Sequence, residues 1–74
     1  RQLMKRLKIE KFDDVKKAKL LSAILLGLPE IDNLEFDLNE SILSIKLNSI
    51  LSNNILTYYI KSTNIEVIDI KDEN

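Results

Sequence analysis

Asp13-Asp14, and separately Asp69 with Asp72 and Glu73, come nearest to a chemical site in this sequence by residue type and spacing. Clustered carboxylates suit hard cations such as magnesium and calcium. A calcium loop, however, needs more oxygen ligands and a glycine at its sharp turn, and neither group has them. Helix capping and solvation account for both groups. Paired carboxylates can also act as general acid and base, but the chain has no histidine or cysteine and no nucleophile beside them. It therefore lacks a catalytic set and is expected not to be an enzyme. Its single glycine excludes a Gly-rich phosphate loop, and the absence of cysteine removes disulfides and thiolate ligands. No cofactor is expected.

Whatever these residues do, a small scaffold must hold them. Seventy-four residues make one domain, with 45% hydrophobic and only 5% aromatic residues, so the core must be built from Leu and Ile and every apolar stripe must be used. The longest apolar run, Leu20–Leu28, is interrupted by Ser22 and is far shorter than the roughly 20 residues of a membrane span. Arg1 at the start leads us to expect a piece of a longer chain, or extra residues ahead of a native start at Met4.

The stretch Asp13–Ile31 organises the elements. Asp13 or Asp14 can accept the unpaired amides of a first helical turn. Val15, Ala18, Leu21, Leu25 and Leu28 then recur at three- and four-residue intervals, and Leu20, Ile24 and Leu26 widen the stripe. So broad a stripe predicts deep burial at the C-terminal end. Gly27 is expected as a left-handed cap, with Pro29 just beyond it.

Ahead of this helix, Leu7 and Ile9 alternate with Lys8 and Glu10, predicting a strand that starts near Met4. After it, Leu34, Phe36 and Leu38 alternate with Glu35 and Asp37, and Leu43, Ile45 and Leu47 with Ser44 and Lys46. Asn39-Glu40-Ser41 lie between them, which predicts an antiparallel hairpin. Ser52 can cap a second helix burying Ile55, Leu56, Tyr59 and Ile60, with Tyr58 facing elsewhere. Thr63-Asn64 make a turn, Ile65–Ile70 form a last strand, and Lys71–Asn74 are expected to fray.

Strand, helix, strand, strand, helix, strand, joined by right-handed crossovers, give an α+β, ferredoxin-like βαββαβ sandwich. Its four-stranded antiparallel sheet carries two helices on one face. The other face is expected to expose Lys8, Glu10, Glu35, Asp37, Ser44 and Lys46. Net charge is −1, but residues 1–19 hold eight Lys/Arg against three acids and residues 20–74 hold three against nine. The basic part suits an acidic partner or a phosphate backbone, or is a solvated face. The RNA-recognition modules that share this topology stack bases on aromatics of the central strands. Phe12 and Phe36 are expected in a loop and in the core instead.

The run from LKIE through the helix to GLPEIDNLEFDLNESILSIKL resembles the heavy-metal-associated domain, the copper- and zinc-chaperone module also found at the N-termini of P-type metal-transporting ATPases. That family has a first strand, a Met-x-Cys-x-x-Cys loop, a helix ending in Leu-Pro-Gly-Val, a strand like VEVDL, and a hairpin. Here the helix ends Leu28-Pro29-Glu30-Ile31, and the next strand reads Leu34-Glu35-Phe36-Asp37-Leu38. The resemblance spans most of residues 1–74 and places Phe12 at the methionine, Asp14 at the first cysteine and Lys17 at the second. Soft metals want thiolates, and a carboxylate beside an ammonium offers one hard ligand and a repelling charge. No metal ligand is therefore assigned. Lys17 is expected to pair instead with Asp13 at i, i+4.

The resemblance implies a non-catalytic interaction or regulatory domain related to metal chaperones, its soft-metal site absent. It would be attached to a P-type cation-transporting ATPase or work beside one, on the cytoplasmic side of the membrane. Docking to a protein partner, or to other domains of the same chain, would use Phe12, Asp13, Asp14, Val15, Lys16 and Lys17. Two alternatives are a cation-binding domain in which Asp13 and Asp14 carry the contact, and a non-specific nucleic-acid-binding module. Lys16, Lys17 and Lys19 crowd the cation site with like charge and favour the first reading.

Overall fold

Alternation along the first strand puts Leu7 and Ile9 on one side, and the core forms on that side. A computed structural model describes residues 3–73. The elements run β1 (Leu3–Ile9), α1 (Val15–Leu26), β2 (Ile31–Asp37), β3 (Ile42–Leu47), α2 (Asn53–Lys61) and β4 (Val67–Glu73). The strands form one antiparallel sheet in the order β2-β3-β1-β4. Each helical crossover, β1–α1–β2 and β3–α2–β4, skips one strand, which is the ferredoxin-like arrangement expected from the sequence.

Leu7, Ile9, Leu43, Ile45 and Leu47 from the central strands meet Leu21 and Leu25 of α1 and Leu56 and Ile60 of α2, all essentially inaccessible to water. Each such Leu or Ile contributes about 1.5–3 kcal/mol by leaving water. The fully buried cluster is wholly aliphatic, and among the described residues no buried side-chain polar atom lacks a partner. Buried Thr63 donates its hydroxyl to the Ile60 carbonyl (2.7 Å). Lys5 lies on the helix side of β1, its Nζ donating to Asp72 and to Asn53 at the start of α2 (2.7 Å each).

Several expectations need correction. The broad stripe of α1 is not all buried: Val15, Leu20 and Leu26 are exposed, Ile24 and Leu28 half-buried. A helix lying on a sheet buries only the wedge that faces it, and here Ala18, Leu21 and Leu25 fill it. Ile55 of α2 is likewise exposed. Glu10 is not on the open sheet face, because β1 ends at Ile9. It clips the entry to β4 instead, its amide donating to the Glu66 carbonyl (2.9 Å) and its Oε1 accepting from the Glu66 amide (3.0 Å). Lys71–Glu73 do not fray: β4 continues to Glu73 because β1 offers partners as far as Met4. Ile65 precedes β4 and is buried in the loop. The expected fraying of Asn74 lies outside the described residues.

Gly27 is not left-handed. Its φ of −74° and ψ of −12° are right-handed helical, and its amide bonds the carbonyls of Ala23 and Ile24. The chain leaves α1 through a tightened turn, with Leu28 N–H on Leu25 and Ile31 N–H on Leu28 (3.0 and 3.1 Å). Asn48 then holds the exit, donating its side-chain amide to Pro29 O and Asp32 Oδ1 (2.9 and 2.7 Å). Among the described residues the left-handed ones are Ser41 and Asn64, with φ of 57° and 61°. A methyl group at position 27 would meet the Ile24 carbonyl at 3.3 Å, about the spacing any helical residue keeps. Gly27→Ala is therefore expected to raise stability by about 0.4–1 kcal/mol through the unfolded chain's lost freedom. A left-handed cap would give a loss instead, and chemical denaturation distinguishes the two.

Candidate functional site

The first loop, residues 10–14, leaves β1 and turns into α1, and the cap at its end decides what its carboxylates can do. Asp14 is the N-cap: its backbone is extended and its Oδ1 accepts the Lys16 amide at 2.9 Å. Asp14 is therefore engaged in starting the helix. Asp13 precedes the cap and is exposed. Because Asp13 lies outside the helix, the expected i, i+4 pairing with Lys17 does not form. Lys17 instead donates its Nζ to the Asn64 carbonyl at 3.1 Å, crossing from the first turn of α1 to the turn between α2 and β4. Sequence separation hid this contact, which uses the carbonyl of the left-handed Asn64.

Phe12 is half-buried rather than displayed, its ring edge-to-face with Phe36 at 6.1 Å and 87°. The two rings close the loop end of the core. Of the six residues expected to dock a partner, Asp13, Asp14, Val15 and Lys16 are exposed, while Phe12 and Lys17 are half-buried, Phe12 packed on Phe36 and Lys17 bonded to Asn64. The loop brings all six to one end of the sheet. Among the described residues no group of three or more carboxylates is placed to share a metal ion, and Asp69, Asp72 and Glu73 are spread along β4. Asp72 is paired with Lys5, and Glu73 with Arg6 at 3.2 Å.

The open sheet face is basic along its middle and, Lys71 apart, acidic along its edge strands. Register sets Asp69 opposite Lys8, Lys71 opposite Arg6 and Glu35 opposite Ser44. Its central strands present Met4, Arg6, Lys8, Ile42, Ser44 and Lys46 and offer no aromatic ring for base stacking. A shallow cavity of about 250 Å³ opens near Leu47 and Leu51, at the other end of β1 from the loop, and its walls are mostly aliphatic.

With this geometry the chain can be set beside known structures. It superposes on the yeast copper transporter domain Ccc2A, solved in apo and Cu(I)-loaded states, with a TM-score of 0.79 at 7% identity, over 97% of this chain and 96% of that one. The chain has the fold of a heavy-metal-associated domain. The heavy-metal-associated domain of a copper chaperone for superoxide dismutase matches with a TM-score of 0.74 at 9% identity, over 92% of this chain and 66% of that one. A third chain, from work on crosstalk between Cu(I) and Zn(II) homeostasis, matches with 0.75 at 12% identity, over 88% and 94%. At such identities the likeness is one of fold. No protein-family model and no curated protein matches the chain. This heavy-metal-associated fold carries no cysteine, and its first loop ends in a carboxylate cap and a lysine tether. Asp14→Ala should cost about 0.5–2 kcal/mol as a lost cap. Lys17→Met, which removes one solvent-exposed contact, should cost at most about 1 kcal/mol. Thermal or urea unfolding of the two variants checks the order.

Proposed function

We propose that the chain is a non-catalytic interaction or regulatory domain built on the heavy-metal-associated fold, with the soft-metal site absent. The reading places it attached to, or working beside, a P-type cation-transporting ATPase, on the cytoplasmic side of the membrane. The partner, another protein or another domain of the same chain, would dock on Asp13, Asp14, Val15 and Lys16, with Phe12 and Lys17 holding the loop in place. One observation carries this reading: both positions that match the family's cysteines serve the fold itself, Asp14 capping α1 and Lys17 bonding Asn64. A ligand pair employed in this way is not waiting for an ion, and the neighbouring ammonium groups of Lys16 and Lys19 repel one.

The deciding experiment is an amide-resolved NMR titration of the labelled domain with zinc, monovalent copper under reducing conditions, and magnesium. Residues Phe12–Ala18 should stay in place through all three. Saturable shifts confined to that loop would instead assign a carboxylate cation site to Asp13 and Asp14. A gain-of-function variant tests the mapping from the other side. Asp14→Cys/Lys17→Cys puts two thiolates on the loop and first turn and should confer tight binding of monovalent copper, read by competition with a chromogenic chelator. Failure of a folded double variant to bind would break the correspondence with the family's metal loop.

A further inference from the structure

All carboxylates of the described chain lie outside its helices. α1 and α2 carry Lys16, Lys17, Lys19 and Lys61 and no Asp or Glu. The same two elements hold five of the seven large hydrophobic side chains that are exposed: Val15, Leu20 and Leu26 on α1, Ile55 and Tyr58 on α2. The nearest carboxylates stand at the rims: Asp13 and Asp14 before α1, Glu30 and Asp32 beyond it, Asp72 beside the start of α2, and Glu10 and Glu66 past its end. Tyr58, 69% exposed, stands beside half-buried Tyr59, their rings edge-to-face at 5.4 Å. We infer that the outer side of the helix layer, formed by Lys16, Lys19, Leu20, Leu26, Tyr58 and Lys61, docks on an anionic membrane surface.

Charge complementarity and the spread of the apolar groups carry the choice of occupant. The helices themselves present charge of a single sign to anionic headgroups, whereas the open sheet face intersperses its basic residues with Glu35, Asp37, Asp69 and Glu73. Aliphatic side chains and a tyrosine set among lysines suit the headgroup boundary, where apolar bodies sink slightly and ammonium groups reach outward to phosphate. The exposed apolar side chains are spread along two helical ridges instead of lining one groove. A flat, deformable surface accommodates ridges, while a folded acidic partner needs matching pockets. The binding is reversible, because each lysine adds only a small increment near an anionic leaflet. This inference goes beyond the loop-docking role, sharing only Lys16 with it and otherwise standing on residues of the outer side of both helices.

The test is co-sedimentation of the chain with vesicles of phosphatidylcholine alone and of phosphatidylcholine with a minority of phosphatidylserine. Binding is expected to the anionic vesicles only and to disappear in high salt. Lys16→Glu/Lys19→Glu should weaken it by roughly tenfold or more, and Leu20→Asp should weaken it without removing a lysine. The charge-matched control Lys46→Glu/Lys71→Glu, on the sheet face, should leave it in place. Helical circular dichroism confirms that each variant is folded. No binding, equal binding to neutral vesicles, or equal loss in both lysine pairs overturns the inference. Retention on polyglutamate with silent vesicles assigns the face to an acidic polypeptide and overturns it as well.

Discussion

Everything in this fold depends on β1 being buried on both edges and one face. It is paired with β3 on one side and β4 on the other, and Leu7 and Ile9 give up all contact with water. A chain this short can close only one aliphatic layer, so both helices must lie on the same side as those two residues. From that follow the crossovers that skip a strand, the open sheet face, and the clustering of the first loop and the α2–β4 turn at one end. The site geometry is thus a product of core formation.

The comparison with heavy-metal-associated structures gains its meaning from this constraint. At 7 to 12% identity hardly any side chain is shared, yet the chain covers nearly all of the yeast transporter domain. What they share is the fold. The loop that would distinguish a metal carrier is the part the core does not specify. Here it is filled by Phe12, Asp14 and Lys17, each bonded or packed inward.

Element order, the two caps and the hairpin were legible because each rests on local chemistry: Asp14 on the Lys16 amide, Ser52 on the Ile55 amide, alternation in Leu34–Leu38 and Leu43–Leu47. Features set by distant partners were not. The length of β4 depends on how far β1 runs beside it, and Lys17 finds Asn64 across 47 positions. Gly27 has a helical conformation open to any residue, so its identity carried no information about a left-handed cap. Exposure of Leu20 and Leu26 was hidden because periodicity gives the direction of a stripe but not the width of the surface that covers it. Glu10 kept the parity of β1 but lay past its last paired residue.

The Lys17 tether has one more consequence. In a thiolate site the link across the loop is a guest: it can be chelated, exchanged or lost to an oxidant, and the loop's shape reports the supply of ions. A lysine is part of the chain and none of these agents can displace it. With no cysteine or histidine anywhere in the sequence, the link that Lys17 makes contains no thiolate for an oxidant or a soft metal to take.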